Sequence, residues 1–203
     1  DVPFSYAELF ETAVKGIRNQ NELAQESSEI ADFWSMLQGF QTSGKCIEKA
    51  HYRIRYMKSF RPLSVKEDIE FKEARPILYL NTAAVASLFN SRNAGSTSNR
   101  SNWSTIMSYL KSHASYLGLK QDRFTILLPS GLPDYTIDIV NGEQVKKVKV
   151  NRPKALCFDY LQLKETFGLD LETEVVAENQ EEIPTESNAI DLQQLKQNEL
   201  PFV

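Results

Sequence analysis

Catalytic signatures are missing from this chain. It has no Gly-Lys-Ser/Thr phosphate loop, no GxGxxG, no HExxH and no GxSxG, which removes the commonest nucleotide, zinc and acyl-transfer chemistries. Histidine is scarce: His51 and His113 are the 2 present, 62 residues apart by number, with no cysteine spacing that completes a zinc site. Cysteine is equally scarce. Cys46 and Cys157 form no CxxC pair, so a disulfide framework is excluded and a reducing, cytoplasmic setting is expected. No apolar run approaches the roughly 18 residues of a membrane helix, and no signal peptide is visible. These absences predict a protein that is not an enzyme, with no cofactor, no metal and no membrane partner. Asp134 and Asp138 fall on one strand face and leave a metal-dependent hydrolase as a weak alternative.

Charge, in contrast, is plentiful and segregated. The formal net charge is −4 over 203 residues. Residues 45–164 hold 20 basic against 10 acidic side chains, whereas residues 170–203 hold 1 against 9 and the first 44 residues hold 2 against 7. A basic middle between acidic ends suits a body that binds a polyanion and a solvated acidic tail. The chain begins at Asp1 without Met, as expected of a piece of a larger protein or of one whose first residues were removed.

Periodicity divides the chain. Residues 4–19 carry Phe4, Leu9, Phe10, Ala13, Val14 and Ile17 at helical spacing, opened by a Ser5–Glu8 capping box. Residues 20–28 are polar, and a second helix is expected from Ser28 to about Gln41, with Ile30, Phe33, Trp34, Leu37 and Phe40 on one stripe and Gly44 as its stop. Residues 50–60 alternate as a strand, with Tyr52, Ile54 and Tyr56 on one side and Arg53, Arg55 and Lys58 on the other. Residues 61–76 read as a connector closed by Pro62 and Pro76.

The stretch 77–123 is central. ILYL (77–80) is a buried strand, Thr82 caps a helix, residues 92–102 form a Ser/Asn-rich loop, and Ser101 or Asn102 opens a second helix that Gly118 ends. FTILL (124–128) follows as a strand. YTIDIV and QVKKVKV then flank Asn141-Gly142, the strongest short hairpin signal, with Lys146, Lys147 and Lys149 on its second strand. ALCF (155–158) can pair back, and a short helix ends at Gly168. The expected architecture is α+β. It has a helical segment plus basic strand (1–60), the connector (61–76), a winged-helix-like domain with a basic β-hairpin (77–168), and an acidic, disordered, flexible tail (169–203).

Within that frame the expected DNA contacts are Arg53, Arg55, Arg92, Arg100, Lys111, Lys146, Lys147 and Lys149 to phosphates. Ser101, Asn102, Ser104, Thr105 and Ser108 would lie nearest the bases, since small hydroxylated side chains beside cations approach base edges closely. The competing reading is a protein-interaction or oligomerisation module without direct DNA contact. Its marker is an exposed apolar patch near Phe4, Phe10, Phe33 and Trp34.

Two resemblances add to this. The set Ile30, Phe33-Trp34, Leu37, Gly44, Ile47, Tyr52 and Ile54, with Ser108–Lys111, Leu117–Lys120 and Arg123-Phe124, is similar to the region after the ATPase domain in helicase- or primase-type replication proteins of bacterial mobile elements. It covers residues 29–128 and implies a DNA-handling helicase accessory domain with no catalytic residue of its own. The end, Glu199–Val203, resembles the acidic tails of bacterial single-strand-binding proteins, which implies recruitment of replication partner proteins. Here Val203 follows Phe202, displacing the terminal carboxylate by one residue.

Overall fold

Residues 6–42 form one helix, α1 (Tyr6–Thr42), in place of the two expected. The polar stretch 20–28 contains no Pro or Gly and is rich in Glu, Gln, Ala and Leu, so nothing in it breaks a helix already propagating. The capping box is present: the Ser5 side chain accepts from Glu8 N–H, and the Glu8 carboxylate accepts from Ser5 N–H. Ser43 caps the far end, with Gly44 at φ +71° just beyond it. The structure is a computed structural model and describes residues 5–93, 102–140 and 143–171. The expectations for Phe4, Arg100, Ser101, the Asn141-Gly142 turn and the tail from 172 onward lie outside the described residues.

After α1 the chain builds an antiparallel sheet from β1 (Tyr52–Phe60), β2 (Ile69–Asn81), β3 (Tyr116–Gln121) and β8 (Lys154–Asp159), in the order β1-β2-β8-β3. The fold is thus mixed α+β. The expected connector supplies half a strand, because Ile69 and Glu70 of β2 pair with Phe60 and Ser59. Its alternation of Ile69 and Phe71 with charged neighbours is short, which hid the period. Helices α2 (Thr82–Asn93), α3 (Trp103–Ser112) and α4 (Tyr160–Phe167) complete the main body. Two small ribbons stand apart from the main sheet: β4 (Phe124–Thr125) with β7 (Val150–Asn151), and the expected hairpin β5 (Tyr135–Val140) with β6 (Glu143–Val148).

Strand alternation assigns the two faces of the sheet. Tyr52, Ile54, Leu78, Leu80, Leu156 and Phe158 join one core with Ile30, Phe33, Trp34 and Leu37 of α1, Val85 and Phe89 of α2, Ile106 and Leu110 of α3, and Leu163 of α4. The inner half of α1, β1, β2, β8 and helices α2, α3 and α4 therefore share one core. Leu169 and Leu171, expected to begin the tail, are buried in it, and the Tyr160 hydroxyl accepts from Leu171 N–H at 2.7 Å. The opposite face carries Ile77, Tyr79, Ala155 and Cys157 beneath Phe60 and Phe124. A register shift between Met57 and Ser59 turns Phe60 onto that second face.

Local chemistry corrects three boundaries. Asn81, buried, caps α2 in place of Thr82: its Oδ1 accepts from Ala84 N–H, while the Thr82 hydroxyl donates to Lys154 C=O. Strand β4 stops at Thr125, short of the expected Leu128. Gly118 ends no helix; it lies inside β3 at φ +133°, where a Cβ would stand 2.7 Å from Pro62 Cβ. Gly118→Ala is expected to destabilise the fold by about 2–4 kcal/mol, since the backbone is strained for an L-residue and a methyl displaces Pro62. Chemical denaturation of the variant checks this.

Candidate nucleic-acid interface

On the second face of the sheet, β1 presents Arg53 and Arg55. Their anchor is Asp122, buried in the connection between β3 and β4. Arg55 Nη2 donates to Asp122 Oδ1 at 2.9 Å, Arg123 N–H donates to the same oxygen at 2.8 Å, and Arg53 Nη1 lies 4.0 Å from Oδ2. Arg53 also donates to Arg123 C=O at 3.0 Å. A nearly buried carboxylate holding two guanidiniums fixes long, flexible arms that would otherwise lose entropy on binding.

Around this anchor lies a cavity of about 680 Å³ whose wall includes Arg55, Arg61, Lys120, Asp122, Arg123 and Arg152. Five cations thus face one carboxylate. Arg61 is ion-paired with Asp68, which draws that carboxyl below its ordinary pKa and raises the guanidinium. Lys120 Nζ sits 5.1 Å from the centre of the Phe60 ring. Among the described residues, Arg123 and Arg152 show no ion pair, and the charge of Lys120 reaches only Asp68, helping to lower that carboxyl. Sheet pairing explains the gathering: Gln121 opposes Lys154, and Phe124 opposes Asn151, so the ends of β3 and β7 bring Arg123 to Arg152. Arg61, Lys120, Arg123 and Arg152 were outside the expected contact set. They sit in turns and at strand ends, where charge has no period, and only the antiparallel pairing assembles them.

The expected contacts fall in three places. Arg53 and Arg55 belong to the cavity face. Lys146, Lys147 and Lys149 lie on the hairpin, each with a partner: Lys146 over the Tyr135 ring at 4.1 Å, Lys147 on Asp138 at 3.0 Å, Lys149 on Asp134 at 2.8 Å. Asp134 and Asp138 thus serve as ion-pair partners. Exposed pairs of this kind contribute about 0–1 kcal/mol, so phosphates can exchange into them. Arg92 and Lys111 are exposed in the last turns of α2 and α3. Asn102 caps α3, accepting from Thr105 N–H and from the Ser104 and Thr105 hydroxyls; Ser108 is exposed one turn on. Helix α3 packs on the first face of the sheet, so its polar residues and the cavity have the sheet between them. Phe33 and Trp34, offered as an exposed patch, are 1% exposed, whereas Phe10 is 70% exposed.

Both histidines are held below their ordinary pKa of 6.5, chiefly by burial. In each, Nδ1 accepts a backbone N–H, from Ile47 to His51 and from Ser115 to His113. The unfolded chain therefore takes up protons first. Stability is full above about pH 6.5 and falls as the pH drops below it. Thermal melts between pH 7.5 and 5.5 are expected to show falling Tm, and His51→Gln/His113→Gln to flatten that dependence.

No family model, no curated protein and no solved structure matches this chain. Among the described residues no helix is long and apolar enough to cross a membrane.

Proposed function

We propose that the chain is a non-catalytic DNA-binding region of a larger mobile-element replication protein of the helicase or primase type. The observation that carries this reading is the cavity: Arg55, Arg61, Lys120, Arg123 and Arg152 line it with one carboxylate, Asp122, and a second, Asp68, paired to Arg61 at its edge. Five cations against two carboxylates leave a positive excess that a further anion relieves, and arginine forks match phosphate oxygens bidentately. Surface charge of one sign also steers a polyanion toward the site.

The order β2, α2, α3, β3, then the hairpin β5–β6, supports a winged-helix-like arrangement in which the hairpin lysines add phosphate contacts beside those of the cavity. The acidic tail, in this proposal, recruits replication partner proteins. Titrating labelled single- and double-stranded DNA at two salt concentrations tests the reading. Binding of micromolar strength or better at low salt is expected, weakening log-linearly with salt; no binding at low salt overturns it.

A further inference from the structure

We propose that the outer half of α1 is a seam for a second copy of this chain, paired antiparallel about a two-fold axis at Ala13. This inference is independent of DNA binding. The buried residues of α1 begin at Ile30, and from Tyr6 to Gln25 every residue except Val14 is exposed. These 20 residues span about 30 Å of helix. A single helix of that length, packed on nothing among the described residues, is marginal in water and draws its stability from burying a face.

The face to be buried is well defined. All the charged residues between Tyr6 and Gln25 (Glu8, Glu11, Lys15, Arg18 and Glu22) lie on one side. Glu11 with Lys15 and Arg18 with Glu22 stand four apart, where they support the helix itself. Tyr6, Leu9, Phe10, Ala13 and Ile17 occupy the other side, and Tyr6 is 93%, Leu9 50%, Phe10 70% and Ile17 58% exposed. At 100° per residue this stripe is turned by roughly 140° from the one that Ile30, Phe33 and Leu37 bury. It is not an extension of the chain's own core.

The stripe fits its own copy. Antiparallel pairing about Ala13 sets Leu9 against the partner's Ile17 and Phe10 against the partner's Gly16. A Cβ at Gly16 would meet nothing within 4 Å, which leaves a notch where a ring can seat. Tyr6 then meets the partner's Gln20, and Ala13 meets the partner's Ala13, letting the helices approach closely. Each exposed ring offers ~150–250 Å². Four rings with Leu9 and Ile17 from both copies therefore bury on the order of 1,000 Å², at the lower bound of specific interfaces. The pairing is accordingly weak, with a Kd on the order of 10 μM.

Sedimentation equilibrium of the full chain and disulfide trapping test this together. The native thiols stay silent, because Cys46 and Cys157 are buried and burial pushes the Cys46 thiol up to about 12 and that of Cys157 up as well. A monomer–dimer equilibrium is expected. Ala13→Cys alone is expected to give a linked dimer on mild oxidation. Tyr6→Cys alone gives none, because its copies stand about 20 Å apart, but linkage returns when it is mixed with Gln20→Cys. Gly16→Leu raises helix content, since it removes a poor helix former, yet weakens the dimer at least tenfold by filling the notch. A monomer at about 200 μM, well above the expected Kd, overturns the proposal. So does Tyr6→Cys linking to itself as readily as Ala13→Cys, or Gly16→Leu tightening the dimer.

Discussion

Replacing Lys120, Arg123 and Arg152 together by alanine is expected to weaken DNA binding about 100-fold at low salt, at about 1 kcal/mol for each phosphate contact. The salt slope should flatten by about one unit per lost contact, hence by about three. The fold should survive, because Arg123 and Arg152 are exposed and form no ion pair among the described residues, and Asp68, which Lys120 faces, keeps its pair with Arg61. Arg55 is left out on purpose. Removing it would strand the buried Asp122 carboxylate, which already has an oxygen, Oδ2, with no hydrogen-bond partner among the described residues, and stability and affinity would fall together. Unchanged melting with changed binding isolates the electrostatic role.

Trp34→Ala is expected to cost about 3–5 kcal/mol, enough to unfold a marginal domain. Trp34 is 1% exposed and joins three elements: its ring stands 5.0 Å from Phe33, 5.3 Å from Phe158 on β8 and 6.5 Å from Phe167 on α4. Truncation removes the packing that ties α1 to the sheet and leaves a cavity between them. Its indole N–H has no hydrogen-bond partner among the described residues, so Trp34→Phe, which deletes that donor while keeping a ring, should cost far less. Urea denaturation of the two variants measures the difference.

Much of the fold was legible in the sequence because its signals are local. The Ser5–Glu8 box, the apolar run Ile77–Leu80 and the hairpin on either side of Asn141-Gly142 each depend on neighbours within a few residues, and each element formed where expected. The helix break at 20–28 was misread because polarity was taken for a boundary, whereas only Pro, Gly or a competing cap would have stopped α1. The connector was misread for the opposite reason: Ile69 and Phe71 are too few to display a period, and β2 is extended there by pairing with Phe60 and Ser59. The cavity was least legible. Arg55, Arg61, Lys120 and Arg152 are distant in sequence, and nothing local links them; the links are the segment after β1 folding onto β3, where Leu63 N–H donates to Leu119 C=O at 2.8 Å, and the β4–β7 pairing that brings Arg152 to Arg123. Lys147 and Lys149 were legible as a basic strand, but their partners Asp138 and Asp134 lie across the hairpin, a register effect that charge counting does not see.

The most direct measurement is an equilibrium titration of labelled DNA at two salt concentrations, run on three proteins: the unaltered chain, Lys120/Arg123/Arg152→Ala and Lys146/Lys147/Lys149→Ala. Salt-sensitive binding by the unaltered chain is expected, with the larger loss and the flatter slope in the cavity variant and a smaller loss in the hairpin variant. Equal affinity and equal salt slope for the unaltered chain and the cavity variant would contradict the account, as would the absence of any binding at low salt.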